Sequence, residues 1–443
     1  MNSKLVRAAR FLTLLIAATF LLACEGDNGR DGDTGPTGPA GPAGPPGPSG
    51  NAGGVPIDSV EKINIVVNSV TIPAGGGQPV VELTLTNDLT QGLFGLPAGD
   101  IRFVLSQLSP ADPGSGASSE WQSYVTRSSN GVPDAQATTE TATAGTFVDN
   151  GDGTYQYTFA LALTDYPAGP EFDMNKTHRI GVEIRGQAPI SSNGIYDFVP
   201  AGGAPMFSRN IVDNDTCNAC HDVLEFHGGP RTDVPYCVTC HNPYSTDEDS
   251  GFTVDMKALI HNIHAGRDGF FIVGYRGTVH DYSDVEFPQD VRNCQTCHQE
   301  SDADTPEASN WRLVANRAAC GTCHYDDGDA TNGKHDYAIE DGVHPGGFNF
   351  VDDTQCLDCH GPEGTVTNPD GALVRVEEIH RVLALEASEN FVFNIVDVRN
   401  VEAGGAPLEV DYSVTDASGT PYDIDNDPEF TTCGNGVSRL VID

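Results

Sequence analysis

Between residues 55 and 205 the apolar positions recur with a period of two. Ile63, Ile65 and Val67 form one such row, as do Leu83 with Leu85, and Ile101, Phe103 and Leu105. Tyr155, Tyr157, Phe159 and Leu161 form another, and Ile180, Val182 and Ile184 a fifth. Period-two alternation predicts strands with one buried face. Asn150-Gly151-Asp152-Gly153, between Phe147 and Tyr155, reads as a hairpin turn rather than a calcium loop. The strand spacing predicts an all-β sandwich or split barrel over residues 55–205. His178, in the polar stretch before Ile180, reads as a surface residue. From residue 206 to 388 the alternation stops. Gly, Asp and Asn dominate, and the one helical pattern outside local motifs spans Val254 to Ala265. Residues 389–443 alternate again, and Phe393-Asn394-Ile395-Val396 repeats Ile63-Asn64-Ile65-Val66. That stretch predicts an incomplete second β domain, with Cys433 an odd thiol.

The segment 206–388 lacks the apolar residues for a core of its own, but it carries five copies of C-x-x-C-H. They are Cys217/Cys220/His221, Cys237/Cys240/His241, Cys294/Cys297/His298, Cys320/Cys323/His324 and Cys356/Cys359/His360, here sites I to V. This is the c-type haem attachment pattern: two thiols bond the vinyl groups and the adjacent imidazole takes the iron. Zinc sites pair two C-x-x-C units or add a distant His, and do not need a His after every second Cys. A thioredoxin-like motif occurs once, beside a βαβ pattern that is absent here. The reading is therefore five haem c groups that replace the missing core, in a loop-rich, partly α-helical multihaem domain that does not fold without them.

Thirteen His are present, and five adjoin the Cys pairs. Setting aside His178 leaves His227, His261, His264, His280, His335, His344 and His380. Five irons need at most five distal ligands, so this number within one segment points to bis-His coordination. His261 and His264 share one helix face at i, i+3 and invite ligation of two different irons. His227 and His380 join them; His335 stands slightly ahead of its rival His344, and His280 is the weakest. Met256 is a less well-placed alternative. A six-coordinate iron has no vacant position for substrate, so the pattern points to electron transfer, at most metal reduction by outer-sphere transfer, with no catalytic residue assigned. The alternatives are a multihaem reductase of a small oxyanion, which needs one open haem and a cationic pocket, and an adhesive surface protein.

Charge narrows the partners. The chain has 23 basic and 63 acidic side chains, a formal charge of −40. Nucleic acid and anionic lipid surfaces demand the opposite sign. A negative field also favours ferric over ferrous iron. Residues 1–23 have an export pattern: Lys4, Arg7 and Arg10 before the apolar run Phe11 to Leu22. The run ends Leu21-Leu22-Ala23-Cys24, similar to a bacterial lipobox, which implies acylation of Cys24 and a membrane anchor. Within residues 24–54, glycine recurs at every third position from Gly26 to Gly53. This collagen-like G-X-Y run reads as a tether, with a trimerising stalk as the alternative.

The order of these parts resembles the OmcA/MtrC family of outer-membrane multihaem cytochromes c. The local words carry the resemblance too: His227-Gly228-Gly229 between sites I and II, Ile260-His261-Asn262-Ile263-His264, and His335 after site IV. Full members have β, pentahaem, β, pentahaem order, and this chain matches the N-terminal pentahaem half. The resemblance implies a surface-exposed outer-membrane lipoprotein that takes respiratory electrons from a porin-associated or periplasmic multihaem cytochrome. It would pass them to extracellular metal oxides or flavins. It also implies distal ligation by His227, His261, His264 and His380, and by His335 with His344 as the rival fit.

Overall fold

The computed structural model describes residues 54–111, 117–129, 132–205, 207–325, 343–344, 348–349, 353–367, 371–382, 390–399 and 409–423. Cys24, the G-X-Y run, His335 and Cys433 lie outside them, as does the side chain of His344.

Two antiparallel sheets build the first part. One has the strand order Thr146–Asp149, Thr154–Thr158, Val80–Thr86, Asn64–Thr71. The other runs Gly194–Phe198, His178–Ile184, Ile101–Ser109, Glu120–Ser123, with Glu140–Thr141 also on Ile101–Ser109. Both sheets keep open edges, so this is a sandwich and not a closed barrel. The period-two rows meet between the sheets: Ile65, Leu83, Tyr155, Phe103, Leu105 and Ile180 all belong to one buried cluster. Phe103 stacks on Tyr157 with ring centres 4.3 Å apart. The 150–153 stretch turns the chain between Asp149 and Thr154, as expected. Leu161 is exposed, because its strand ends at Thr158 and a short 3-10 turn follows at Leu163–Asp165.

Two expectations need correction, and the strand His178–Ile184 explains both. It is buried on both faces, not one. Ile180, Val182 and Ile184 point into the sandwich. The alternate row, Arg179, Gly181 and Glu183, is covered by residues 208–236. Arg179 donates to the carbonyls of Ser208 and Pro235. A Cβ on Gly181 would sit 2.7 Å from the Tyr236 ring, so only glycine lets that ring lie against the sheet.

His178 is the second correction. It has the same parity as Ile180 and so lies in the core row, fully buried, not at the surface. Its Nδ1–H donates to the Lys176 carbonyl and its Nε2 faces the Tyr124 hydroxyl at 3.0 Å. Burial pushes its pKa down to about 4. The folded ring therefore stays neutral while the unfolded chain takes up a proton, and stability falls as pH drops from about 6.5 to about 4. The loss expected across that window is about 3 kcal/mol. Denaturant unfolding of the sandwich should be steeper in pH for the native chain than for His178→Gln; equal slopes would refute the assignment.

Beyond the sandwich the described chain is short helices and loops. The longest described helix is Met256–His264, two residues shorter at its start and one at its end than the pattern predicted. Residues Val392–Arg399 pair with Glu409–Thr415 in a hairpin. Like the Asn64–Thr71/Val80–Thr86 hairpin it repeats in sequence, it carries a bulge in its first strand.

Candidate haem sites

Each attachment motif folds as about one helical turn. Site I lies on the helix Asn214–His221, whose N-cap Asp213 accepts from Thr216 N–H at 2.8 Å. Sites II, III and IV close identically: the His N–H donates to the first Cys carbonyl at 2.9 Å, from His241 to Cys237, His298 to Cys294 and His324 to Cys320. Site V occupies the helix Cys356–His360. A single turn puts thiols at i and i+3 on one face with the imidazole directly after them.

The ten thiols are free, without disulfides among the described residues. Burial pushes Cys217, Cys294 and Cys356 up to about 11 and Cys237 up to about 12. One second thiol is less enclosed than the rest. Cys220, in the last turn of the site I helix, is exposed, unlike the other nine. Cys359, in the site V helix, is half-buried like Cys356 and the remaining thiols. A thioether needs a thiol that its vinyl group can reach, and Cys220 and Cys359 sit one turn after their partners Cys217 and Cys356. Zinc sites hold thiolates, and among the described residues no three His, Cys, Asp or Glu side chains converge on a point.

The imidazoles come together in pairs. His221 faces His264 with ring centres 5.9 Å apart, His241 faces His227 at 5.9 Å, His298 faces His261 at 6.3 Å, and His324 faces His380 at 6.0 Å. Each pair joins one attachment-site His to one of the seven others. Iron binds an imidazole nitrogen at about 2 Å and the ring centre lies about 1 Å behind it, so two axial rings on one iron have centres about 6 Å apart. The angle between the ring planes is free, and the observed 35–79° is compatible with that axis.

Hydrogen bonds aim the rings. Nδ1–H donates to a backbone carbonyl in His241 (Val254, 2.9 Å), His264 (Ile260, 2.9 Å), His360 (Val374, 2.7 Å) and His380 (Val376, 2.8 Å). That fixes the proton on Nδ1 and leaves Nε2 as the metal-binding nitrogen. In His264 and His380 the acceptor is the carbonyl at i−4, so these local helices orient their own ligands. Burial lowers the pKa of His227, His298 and His324 to about 4, and lowers those of His241 and His261 as well. These rings are held in the neutral form that a metal takes.

Among the described residues His280 is not brought to another His; it is exposed on the Phe271–Val273/Val279–Asp281 hairpin. Met256 opens the 256–264 helix, where its backbone N–H donates to the His241 carbonyl. His335 and the side chain of His344, the two candidates for site V, lie outside the described residues.

The surroundings suit a large apolar group. The buried cluster that fills the sandwich has no member after Phe198. Around the paired rings, apolar side chains stand open instead: Val223 beside His221, Phe226 beside His227, and Ile379 beside His380. Four ring pairs at iron-spanning distance, thiols on the adjoining turn and uncovered apolar side chains fit haem c.

Two family models match. The "Decaheme cytochrome c component MtrC/MtrF N-terminal domain" covers residues 74–202, and "Outer membrane cytochrome MtrC/MtrF-like, domains II/IV" covers residues 209–369. The chain belongs to the OmcA/MtrC family of multihaem cytochromes. Haem c, with its iron, is accordingly the cofactor of the family. A multihaem cytochrome MtrC of Shewanella baltica is 28% identical over 347 residues, 76% of this chain and 46% of that protein. The crystal structure of MtrC from the same organism aligns with a TM-score of 0.53 at 25% identity, over 82% of this chain and 52% of the other. That of the outer membrane decahaem cytochrome OmcA aligns at 0.58 and 24% identity, over 83% and 55%, and bears on the fold alone. The chain spans about half the length of these OmcA/MtrC relatives.

Sequence reasoning named the paired His but missed what lies around them. The carbonyls of Val254 and Val374 and the buried Glu183 carried no motif. Only the i−4 acceptors of His264 and His380 were implicit in helical spacing.

Proposed function

We propose that this chain carries electrons through five covalently attached haem c groups, four of them held between the ring pairs His221/His264, His227/His241, His261/His298 and His324/His380. His360 is the proximal residue of the fifth, with His335 or His344 opposite it. Bound haem supplies a one-electron iron couple. The protein's residues do the rest. Two imidazoles would close each iron to substrate, backbone carbonyls hold the protons of His241, His264, His360 and His380 on Nδ1, and the thioethers, Cys220 and Cys359 included, would keep the spacing fixed. The observation that carries this reading is the pairing itself: each ring opposite an attachment-site His comes from a non-motif position, at the separation that one iron would span.

The thiols also suggest an order. Cys217 lies near Cys297, and Cys237 near Cys217. Cys294 lies near Cys320 and Cys323, and Cys356 near Cys320. Neighbouring sites then run II, I, III, IV, V, a path rather than a cluster.

We place residues 55–205 as the β domain, 206–388 as the pentahaem domain and 389–443 as the start of a second β domain. By analogy with its relatives, the protein would be a lipoprotein anchored through Cys24 at the outer cell surface and held off the membrane by the G-X-Y tether. It would take electrons from a porin-associated or periplasmic multihaem cytochrome and deliver them to metal oxides or flavins.

Spectroscopy of the purified full chain tests the reading. All haems should be low-spin in both oxidation states and unmoved by cyanide or carbon monoxide, and the intact mass should account for five. A high-spin fraction that binds nitrite would replace this reading with an oxyanion reductase.

A further inference from the structure

The chain is poor in cations, yet three arginines converge beside one haem site. Glu183 is fully buried on the outer row of the His178–Ile184 strand. Arg231 Nε and Arg185 Nε each lie 2.7 Å from its carboxylate, Arg102 Nε lies 3.9 Å away, and the Tyr236 hydroxyl donates to it at 3.0 Å. Three positive charges thus surround one negative charge, and the cluster is net cationic within a strongly anionic protein.

Its place is specific. Arg231 closes the short loop that carries His227, because Phe226 N–H donates to the Arg231 carbonyl at 2.9 Å. Arg185 donates to the His227 carbonyl at 3.4 Å. Tyr236 directly precedes Cys237, the first thiol of site II, and the Arg231 guanidinium lies 5.9 Å from its ring centre. The positive charge of Arg231 thus sits beside both the loop that carries His227 and the residue that precedes Cys237. With its side chain only 16% exposed, that charge is weakly screened.

We infer that Arg231, held in place by Glu183 and assisted by Arg185, is a positioning and tuning residue that raises the reduction potential of the haem at site II. A fixed positive charge favours the ferrous over the ferric state, and burial lengthens its reach. Site II stands at one end of the proposed path. An end site with a raised potential holds an arriving electron more firmly than the sites before it. The inference rests on the proposal that His227 and His241 bind one iron.

Opposite charge changes make the test. Spectroelectrochemical titration of the full holo-chain resolves the site II component, identified as the one displaced in His227→Met. Arg231→Gln should lower its ferrous-to-ferric ratio at fixed potential at least tenfold, about 59 mV for a one-electron couple. Glu183→Gln should raise it by a similar factor, and Arg231→Lys should leave it in place. The haem should stay low-spin in all three. A purely structural role would move the Arg231→Gln and Glu183→Gln potentials the same way. That result, or a shift below tenfold in either, overturns the inference. If Arg231→Gln does not accumulate, the partly exposed Arg185→Gln takes its place with the same expected direction and the same criterion. If His227→Met displaces no component, the ligand pairing fails instead, and the two failures are distinguishable.

Discussion

The full chain made without attached haem is expected to keep its sandwich and to lose order in the described segments between residues 207 and 382. The two parts differ in what holds them. The sandwich buries a continuous apolar cluster from Ile57 to Phe198, closed by aromatic contacts such as Phe103 on Tyr157. Among the described residues after 206, the buried apolar side chains before the final hairpin are Leu224, Val234, Tyr236, Ala258, Phe270, Ala308, Ala315 and Tyr325. Three are alanines, and most are far apart in sequence. At about 25 cal/mol per Å² of buried apolar surface, such a set does not offset the entropy of ordering more than a hundred residues, at about 1–2 kcal/mol each. The helices do not help, since an isolated helix as short as Met256–His264 is unstable in water. Ligand binding is then folding energy, as in small metal-dependent domains.

Amide exchange read by mass spectrometry checks this in a chain with all ten attachment cysteines replaced by alanine. Peptides from Val80–Thr86 and Ile101–Ser109 should remain protected, and those from Asn214–His221 and Met256–His264 should exchange at the unfolded rate. Protection of Met256–His264 in the haem-free chain would show that the segment has a protein core of its own.

The difference between the two parts also sets what could be read from sequence. Strands were legible because a buried face writes a period of two, and Ile63, Leu83, Phe103 and Tyr155 lie where that period puts them. It failed where a strand has a second partner. The row Arg179, Gly181, Glu183 reads as a solvent face, and nothing local says that Arg231 and Tyr236 will cover it. His178 departs from its expected place for a related reason. Its parity with Ile180 puts it in the core row, and register outweighs a polar neighbourhood. The five attachment turns were legible because their chemistry is contiguous. How far each thiol is enclosed was not, since Cys220 and Cys240 hold the same place in the motif and differ in what the rest of the fold lays over them. The ring partners were not legible either: His227 meets His241 across a short loop, but His380 meets His324 from over fifty residues away, and spacing alone cannot choose between such pairings.

The second large effect is expected at His261. One helix, Met256–His264, presents imidazoles to two sites: His261 to His298 of site III and His264 to His221 of site I. A separation of three residues puts both on one face, roughly a turn apart, so that neighbouring irons can share one rigid support. The helix also lies against Arg317–Cys320 of site IV, so three attachment sites depend on its position. His261→Ala should leave haem covalently attached through Cys294 and Cys297 but open one axial position. One haem in five should become high-spin and bind carbon monoxide. Because site III stands between I and IV in the proposed order, electron exchange between the two ends should slow by at least tenfold, while reduction of the haems on either side remains. His261→Ala/His264→Ala should open two haems, and His280→Ala none, since His280 is exposed and faces no second imidazole among the described residues. Magnetic circular dichroism counts the high-spin haems, and stopped-flow reduction reads the exchange. An unaltered low-spin spectrum in His261→Ala would mean that His298 has another partner, and the path drawn through site III would have to be redrawn.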